Sequence, residues 1–144
     1  MAVYSGYVLE KREGQVRRKQ KVSGAVRNRW TPELVEEGFT PISTFFLDNY
    51  SRLRNPLTSQ EVVFILHLVR FKWDERHPFP SFETLAERMG TSYNHVRSQA
   101  TSLVSKGYLR KVRRRTRLEF DLHPLFDELG SLRRSMRSAG ADAQ

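Results

Sequence analysis

The amino-acid sequence predicts a mainly α-helical fold closed by a small β-hairpin, an α+β class. Three observations carry this. Between residues 42 and 106 apolar residues recur at helical spacing in successive segments, divided by glycine and proline. Residues 108–122 then switch to alternation, with Leu109, Val112, Leu118, Phe120 and Leu122 set among charged residues, as a two-stranded ribbon requires. Pro124 opens a last helical pattern that places Leu125, Phe126, Leu129, Leu132 and Met136 on one side.

The chain has 144 residues, 38% of them hydrophobic, enough for one core and a tail. Residues 1–30 read as a basic arm, because Lys11, Arg12, Arg17, Arg18, Lys19 and Lys21 stand among few apolar residues and no helical stripe. Such a composition favours disorder in isolation. Residues 3–9 hold enough β-formers for a strand, whose partner is not evident. Residues 31–56 form a helical extension. Thr31-Pro32 starts a short helix ahead of Gly38, and Ile42, Phe45, Phe46, Tyr50 and Leu53 share one face of a second, which Asn55-Pro56 ends.

The main domain is expected over residues 57–137. Thr58 and Glu61 form a capping box before a long apolar helix. One stripe, Val62, Ile65, Leu66, Val69 and Trp73, is assigned to the core below. A second, Phe64, Leu68 and Phe71, is assigned to the Phe45/Phe46 helix, since a helix apolar on two faces is packed on two sides. His77-Pro78-Phe79-Pro80 is a rigid connection. Ser81 caps a helix to about Met89, which Gly90 breaks. Ser92 caps the next, to about Lys106, with Gly107 as its stop. The hairpin tip falls near Arg114-Arg115, and residues 138–144 read as a frayed tail.

The formal net charge is +9, and two segments hold the excess. Residues 1–30 carry eight basic against two acidic residues, and residues 108–123 six against two. Charge of this sign favours nucleic acid or an anionic membrane surface. The absence of cysteine excludes disulfides and thiolate metal sites. No apolar run approaches the roughly 20 residues that span a bilayer. No apolar signal core precedes a cleavage-like site, so the chain reads as a mature cytoplasmic protein, associated with the nucleoid.

Within the helical run, Ala86, Gly90 and Val96 stand at positions 5, 9 and 15 counted from Phe82. Two helices joined by a tight turn need a small residue where they touch, a glycine where φ turns positive, and an apolar plug on the second helix. Ala100, Leu103 and Val104 continue the plug. The rest of that helix (Tyr93, Asn94, His95, Arg97, Ser98, Gln99, Thr101, Ser102) is rich in hydrogen-bonding groups, which suits a DNA major groove.

The segment 80–109, PSFETLAERMGTSYNHVRSQATSLVSKGYL, resembles the winged helix-turn-helix domains of plasmid and phage replication initiators and of bacterial transcriptional regulators. The shared pattern is Pro-Ser, a Leu-Ala pair, a glycine, a serine cap, a valine, then a leucine followed by Lys-Gly-Tyr-Leu. The segment 120–129, FDLHPLFDEL, resembles the strand-to-helix exit of the same group. The resemblance covers about residues 57–130. It departs at Asn94-His95, where relatives more often carry Arg or Thr. It implies that Ser92, Tyr93, Asn94, His95, Arg97 and Ser98 face the bases. Arg97 would fork onto a guanine and Asn94 pair with an adenine edge. Arg110, Lys111, Arg113, Arg114, Arg115 and Arg117 would follow the phosphates. Arg12, Arg17, Arg18, Lys19 and Lys21 of the arm would add phosphate contacts or enter a minor groove.

Each of these has a plainer reading. Arg113-Arg114-Arg115 fits a solvated turn, Tyr93 fits packing against the turn, and the arm fits a solubilising tail. His67, His77, His95 and His123 show no pair with metal-ligand spacing and a carboxylate partner, so no metal site and no cofactor are expected. Asp74-Glu75 is a loop charge pair. There is no phosphate-cradling glycine loop or nucleophile elbow, so an enzyme is the least supported class. Three functions remain. The first is a sequence-specific transcriptional regulator, dimeric through helices 42–53 and 124–137. The second is a replication-initiation or partition protein of a mobile element, and the third a winged-helix adapter for a protein partner.

Overall fold

The computed structural model describes residues 7–12, 15–20 and 24–142, with side chains described over 26–140. The chain divides into two compact units between Pro41 and Ile42.

In the first unit, strand β1 (Tyr7–Arg12) pairs antiparallel with strand β2 (Gln15–Gln20), in a register running from Tyr7 opposite Gln20 to Arg12 opposite Gln15. The partner missing from the sequence reading is thus the basic stretch itself. Helix α1 (Gly24–Arg29) follows, inside the segment read as an arm. The Thr31-Pro32 signal marks a single 3₁₀ turn, Glu33–Val35, and not a helix. The Thr31 hydroxyl accepts the Leu34 N–H at 3.3 Å, and Gly38, at φ 115°, ends the segment.

The second unit begins at residue 42, before the expected boundary at 57, because residues 42–56 contribute Phe46 and Leu53 to its core. Helix α2 (Thr44–Asn49) is capped by Ser43 and leads into a 3₁₀ turn, Tyr50–Arg52. Helix α3 (Ser59–Arg70) has the full capping box, with Thr58 Oγ1 accepting from Glu61 N and Glu61 Oε1 accepting from Thr58 N. It buries Val62, Phe64, Ile65 and Leu68, while Leu66, Val69 and Phe71 pack partly against the core. Trp73 lies beyond the helix end and is half exposed, outside the core stripe to which the periodicity assigned it. Of the second stripe, Phe64 and Leu68 are buried in one cluster with Phe46. Phe64 meets the edge of Phe120, centroids 6.4 Å apart, so it packs on the hairpin.

Helix α4 (Phe82–Met89), capped by Ser81, and helix α5 (Tyr93–Ser105), capped by Ser92, form the helix-turn-helix. Ala86 is buried between the helices, and Val96, Ala100 and Leu103 are fully buried. Val104, read as a core residue, is instead 42% exposed, one position round the helix from Leu103. Gly90 closes α4 at φ 64°, as the spacing requires. An added Cβ there would meet no atom within 4 Å, so only the backbone opposes a side chain. Gly90→Val is therefore expected to cost about 1–3 kcal/mol, with Gly90→Asn costing less, since asparagine tolerates the left-handed region. Urea melts of the two variants check this, and equal stabilities would contradict it.

Strand β3 (Arg110–Arg113) pairs antiparallel with strand β4 (Leu118–Asp121), Arg110 opposite Asp121 and Arg113 opposite Leu118. The rigid connection before α4 runs along the outer edge of β4, where the Pro78 carbonyl accepts the Phe120 N–H at 2.9 Å. Helix α6 (His123–Asp142) is longer than expected and carries on through most of the segment read as a frayed tail. Its first turns hold Leu125 in the core, with Leu129 and Leu132 packed against it.

Candidate nucleic-acid interface

Helix α5 is fixed by the same residues that divide its faces. Its inward side plugs the core, and its last turn is tied to α3 by a buried polar cluster. Glu61, 1% exposed, receives Ser102 Oγ at 2.7 Å and Lys106 Nζ at 2.5 Å. Lys106 also donates to the Pro56 carbonyl, and the Tyr108 hydroxyl accepts the Asn55 N–H at 2.9 Å. Burial pushes the Glu61 carboxyl up. Lys106, the Thr58 N–H and the Ser102 hydroxyl outweigh it and hold the group below the usual carboxylate range. The sequence showed only the capping half of this cluster, since Glu61 and Lys106 are 45 residues apart.

The outward side presents Ser92, Tyr93, Asn94, Arg97 and Ser98 exposed and His95 half-buried. Ser92 is occupied, because its hydroxyl accepts the His95 N–H at 3.1 Å. Tyr93 meets the Phe82 ring of α4 nearly perpendicular, centroids 5.6 Å apart, a packing contact on the first residue of α4 and not on the turn, and the residue is still 41% exposed. Among the described residues no hydrogen bond or ion pair engages the side chains of Asn94, Arg97 or Ser98. At i, i+3 and i+4 these three line one stripe. Gln99 turns away toward Gln60 on α3.

The hairpin does not offer six equivalent cations. Asp121, buried at the root of β4, takes Arg110 through Nη2 at 2.5 Å and Nε at 3.0 Å. Glu119 takes Arg117 at 2.8 Å and Arg114 at 3.3 Å. Arg117 also lies over the Phe79 ring at 4.0 Å, which anchors the hairpin to the connection before α4. Arg117 holds Glu119 below the usual carboxylate range against the cost of burial, with Arg114 adding to it. Lys111, Arg113 and Arg115 remain exposed with no carboxylate partner among the described residues, although Lys111 Nζ sits 5.7 Å over Phe82. Arg12, Arg17, Arg18 and Lys19 lie on β1 and β2 of the other unit, and Lys21 falls outside the described residues.

One grouping contradicts the expectation that no histidine pair has a carboxylate partner. His77, Asp121 and His123 converge, because β4 returns residue 121 beside the connection 77–80. A separation of 44 residues hides this from a local motif search.

Residues 54–109 match the family model for a helix-turn-helix domain. The hairpin that follows makes the fold a winged helix-turn-helix, with α5 as its second helix and β3–β4 as its wing. A helix-turn-helix domain suggests DNA binding. No curated protein matches the chain by sequence. Among the described residues, no helix is long and apolar enough to cross a membrane.

Proposed function

We propose that this protein binds duplex DNA sequence-specifically as a transcriptional regulator, reading the major groove with α5 and gripping phosphates with the wing. The observation that carries this reading is the unoccupied stripe of Asn94, Arg97 and Ser98, presented on a helix locked from behind by Glu61, Ser102 and Lys106. A side chain held by its own protein cannot spend its donors on a base. These three are not so held, and Arg97 and Asn94 are the residue types that fork onto guanine and adenine. Lys111, Arg113 and Arg115 supply the wing's phosphate contacts, and the basic N-terminal unit adds charge. Exposed Phe126 and Met136 on α6 are candidates for a seam between two copies, which would read half-sites about 34–36 Å apart. On α2, Phe46 is buried in its own core, which leaves exposed Leu47 as that helix's apolar candidate for the seam.

Fluorescence anisotropy across a salt series tests the assignment. Duplex DNA is expected to bind more tightly than duplex RNA of the same sequence, whose deep narrow groove excludes an α-helix. The wing's three unpaired cations contribute about −3 to the slope of log K against log salt. Glu119→Gln releases Arg114 and Arg117 from their carboxylate, so it is expected to tighten DNA binding and steepen the slope by up to about two. An unchanged slope would place the wing away from the phosphates, and equal affinity for RNA would remove α5 from the groove.

A further inference from the structure

The convergence of His77, Asp121 and His123 is not accounted for by the ion pairs of the wing, which engage only Asp121 of the three. His123 Nδ1 lies 2.8 Å from Asp121 Oδ1, and His77 Nδ1 lies 3.7 Å from that same oxygen. The three ligand atoms fall within 4.8 Å of one another. The two imidazole rings stand nearly perpendicular, with centroids 5.6 Å apart. The oxygen already accepts both the ring nitrogen and the backbone N–H of His123, at 2.8 and 2.9 Å. At 3.7 Å, His77 aims a ring nitrogen at it without reaching hydrogen-bond distance. Among the described residues no other hydrogen bond engages that ring.

Ligand atoms about 2.0–2.2 Å from a tetrahedral zinc ion stand a little over 3 Å from one another. The two separations from Asp121, 2.8 and 3.7 Å, bracket that value, and all three atoms lie within 4.8 Å of one another, so rotation of the imidazole rings would bring them round one metal ion. Asp121 is held from its far side, where Oδ2 takes the Arg110 guanidinium through two nitrogens. Such support orients a ligating carboxylate. Two imidazoles and one carboxylate are a donor set for the borderline divalent ions, zinc foremost, and not for magnesium or calcium, which take oxygen. We propose that His77, Asp121 and His123 form a three-ligand site for one zinc-class divalent ion, with water completing the coordination.

The ion would join the connection before α4, the root of the wing and the start of α6. Arg110 and the N-terminal end of α6 set positive charge beside it, which works against a bound cation.

The test uses the untagged full chain with zinc chloride and cobalt chloride. One equivalent of cobalt is expected to give a visible d–d absorption that zinc abolishes, and zinc is expected to raise the melting temperature by several degrees where magnesium does not. His77→Gln and His123→Gln should each weaken zinc at least tenfold, while His67→Gln and His95→Gln leave it unchanged. Circular dichroism of the metal-free variants confirms that they fold. Should His123→Gln fail to fold, His77→Gln decides alone, since its ring makes no hydrogen bond among the described residues. No zinc-dependent melting shift, or zinc binding undiminished in His77→Gln, would overturn the site.

Discussion

Glu61→Ala is expected to destabilise the helix-turn-helix unit by about 3–5 kcal/mol, the largest single effect of any polar substitution in it. Three losses coincide. The N-terminus of α3 loses the carboxylate that accepts the Thr58 N–H at 2.8 Å. Ser102 loses its acceptor at 2.7 Å. Lys106, three-quarters buried, keeps only the Pro56 carbonyl against its charge. Removing one partner of a buried pair costs more than the pair contributes, because the other charge stays desolvated. Glu61→Gln should cost less, since its amide oxygen still accepts the Thr58 N–H and its NH2 can donate to the Ser102 hydroxyl, while the ion pair is lost. Urea denaturation measures both, and a loss below about 1 kcal/mol for Glu61→Ala would show that the cluster does not hold α5 on α3.

The sign of the acid response follows from the same group. A carboxyl whose folded pKa lies below its unfolded value contributes stability that is fully present above the unfolded pKa. That contribution fades as pH falls through the folded value. Glu61 is such a group, and so is Asp121. Burial raises Asp121, but the His123 N–H and ring, Arg110 and His77 bring it down from 3.8 to about 2. Stability is therefore expected to decline from about pH 4 toward pH 2, less steeply in Glu61→Ala than in the parent chain.

Arg97→Ala and Arg115→Ala are expected to fail in different ways. Loss of a bidentate arginine on a guanine costs about 1–3 kcal/mol on the preferred site, or about 5- to 150-fold, and relaxes the preference at one base pair only. Loss of Arg115 should weaken every duplex alike and reduce the salt slope by about one. Arg115 is the better probe of the wing than Arg114, whose guanidinium is already on Glu119. Identical behaviour of the two variants across sequences would erase the division between reading helix and phosphate wing.

The helix-turn-helix was legible because its signals are local. Ala86, Gly90 and Val96 sit at fixed offsets, and Ser81, Ser92 and Thr58 announce each helix by their caps. What stayed hidden depends on pairing across distance. The charge count of the wing was visible, but not that Glu119 and Asp121 would claim Arg110, Arg114 and Arg117. Periodicity showed that α3 has two apolar faces without showing that Phe64 packs on Phe120. Thr31-Pro32 carried a helix-start signal, yet Gly38 leaves too few residues for more than one 3₁₀ turn. The hairpin of residues 7–20 escaped notice because β2 is nearly all polar, and a strand without apolar alternation has no signature of its own.

The most direct test of DNA reading by α5 is selection of bound duplexes from a random library at near-physiological salt, with the parent chain and Arg97→Ala side by side. The parent chain is expected to enrich a defined motif, and the variant to enrich the same motif with one position degenerate. An inverted repeat would identify a dimeric regulator. Recovery of no motif, with binding that disappears as salt rises, would contradict sequence reading by α5 and leave the basic segments as a phosphate grip alone.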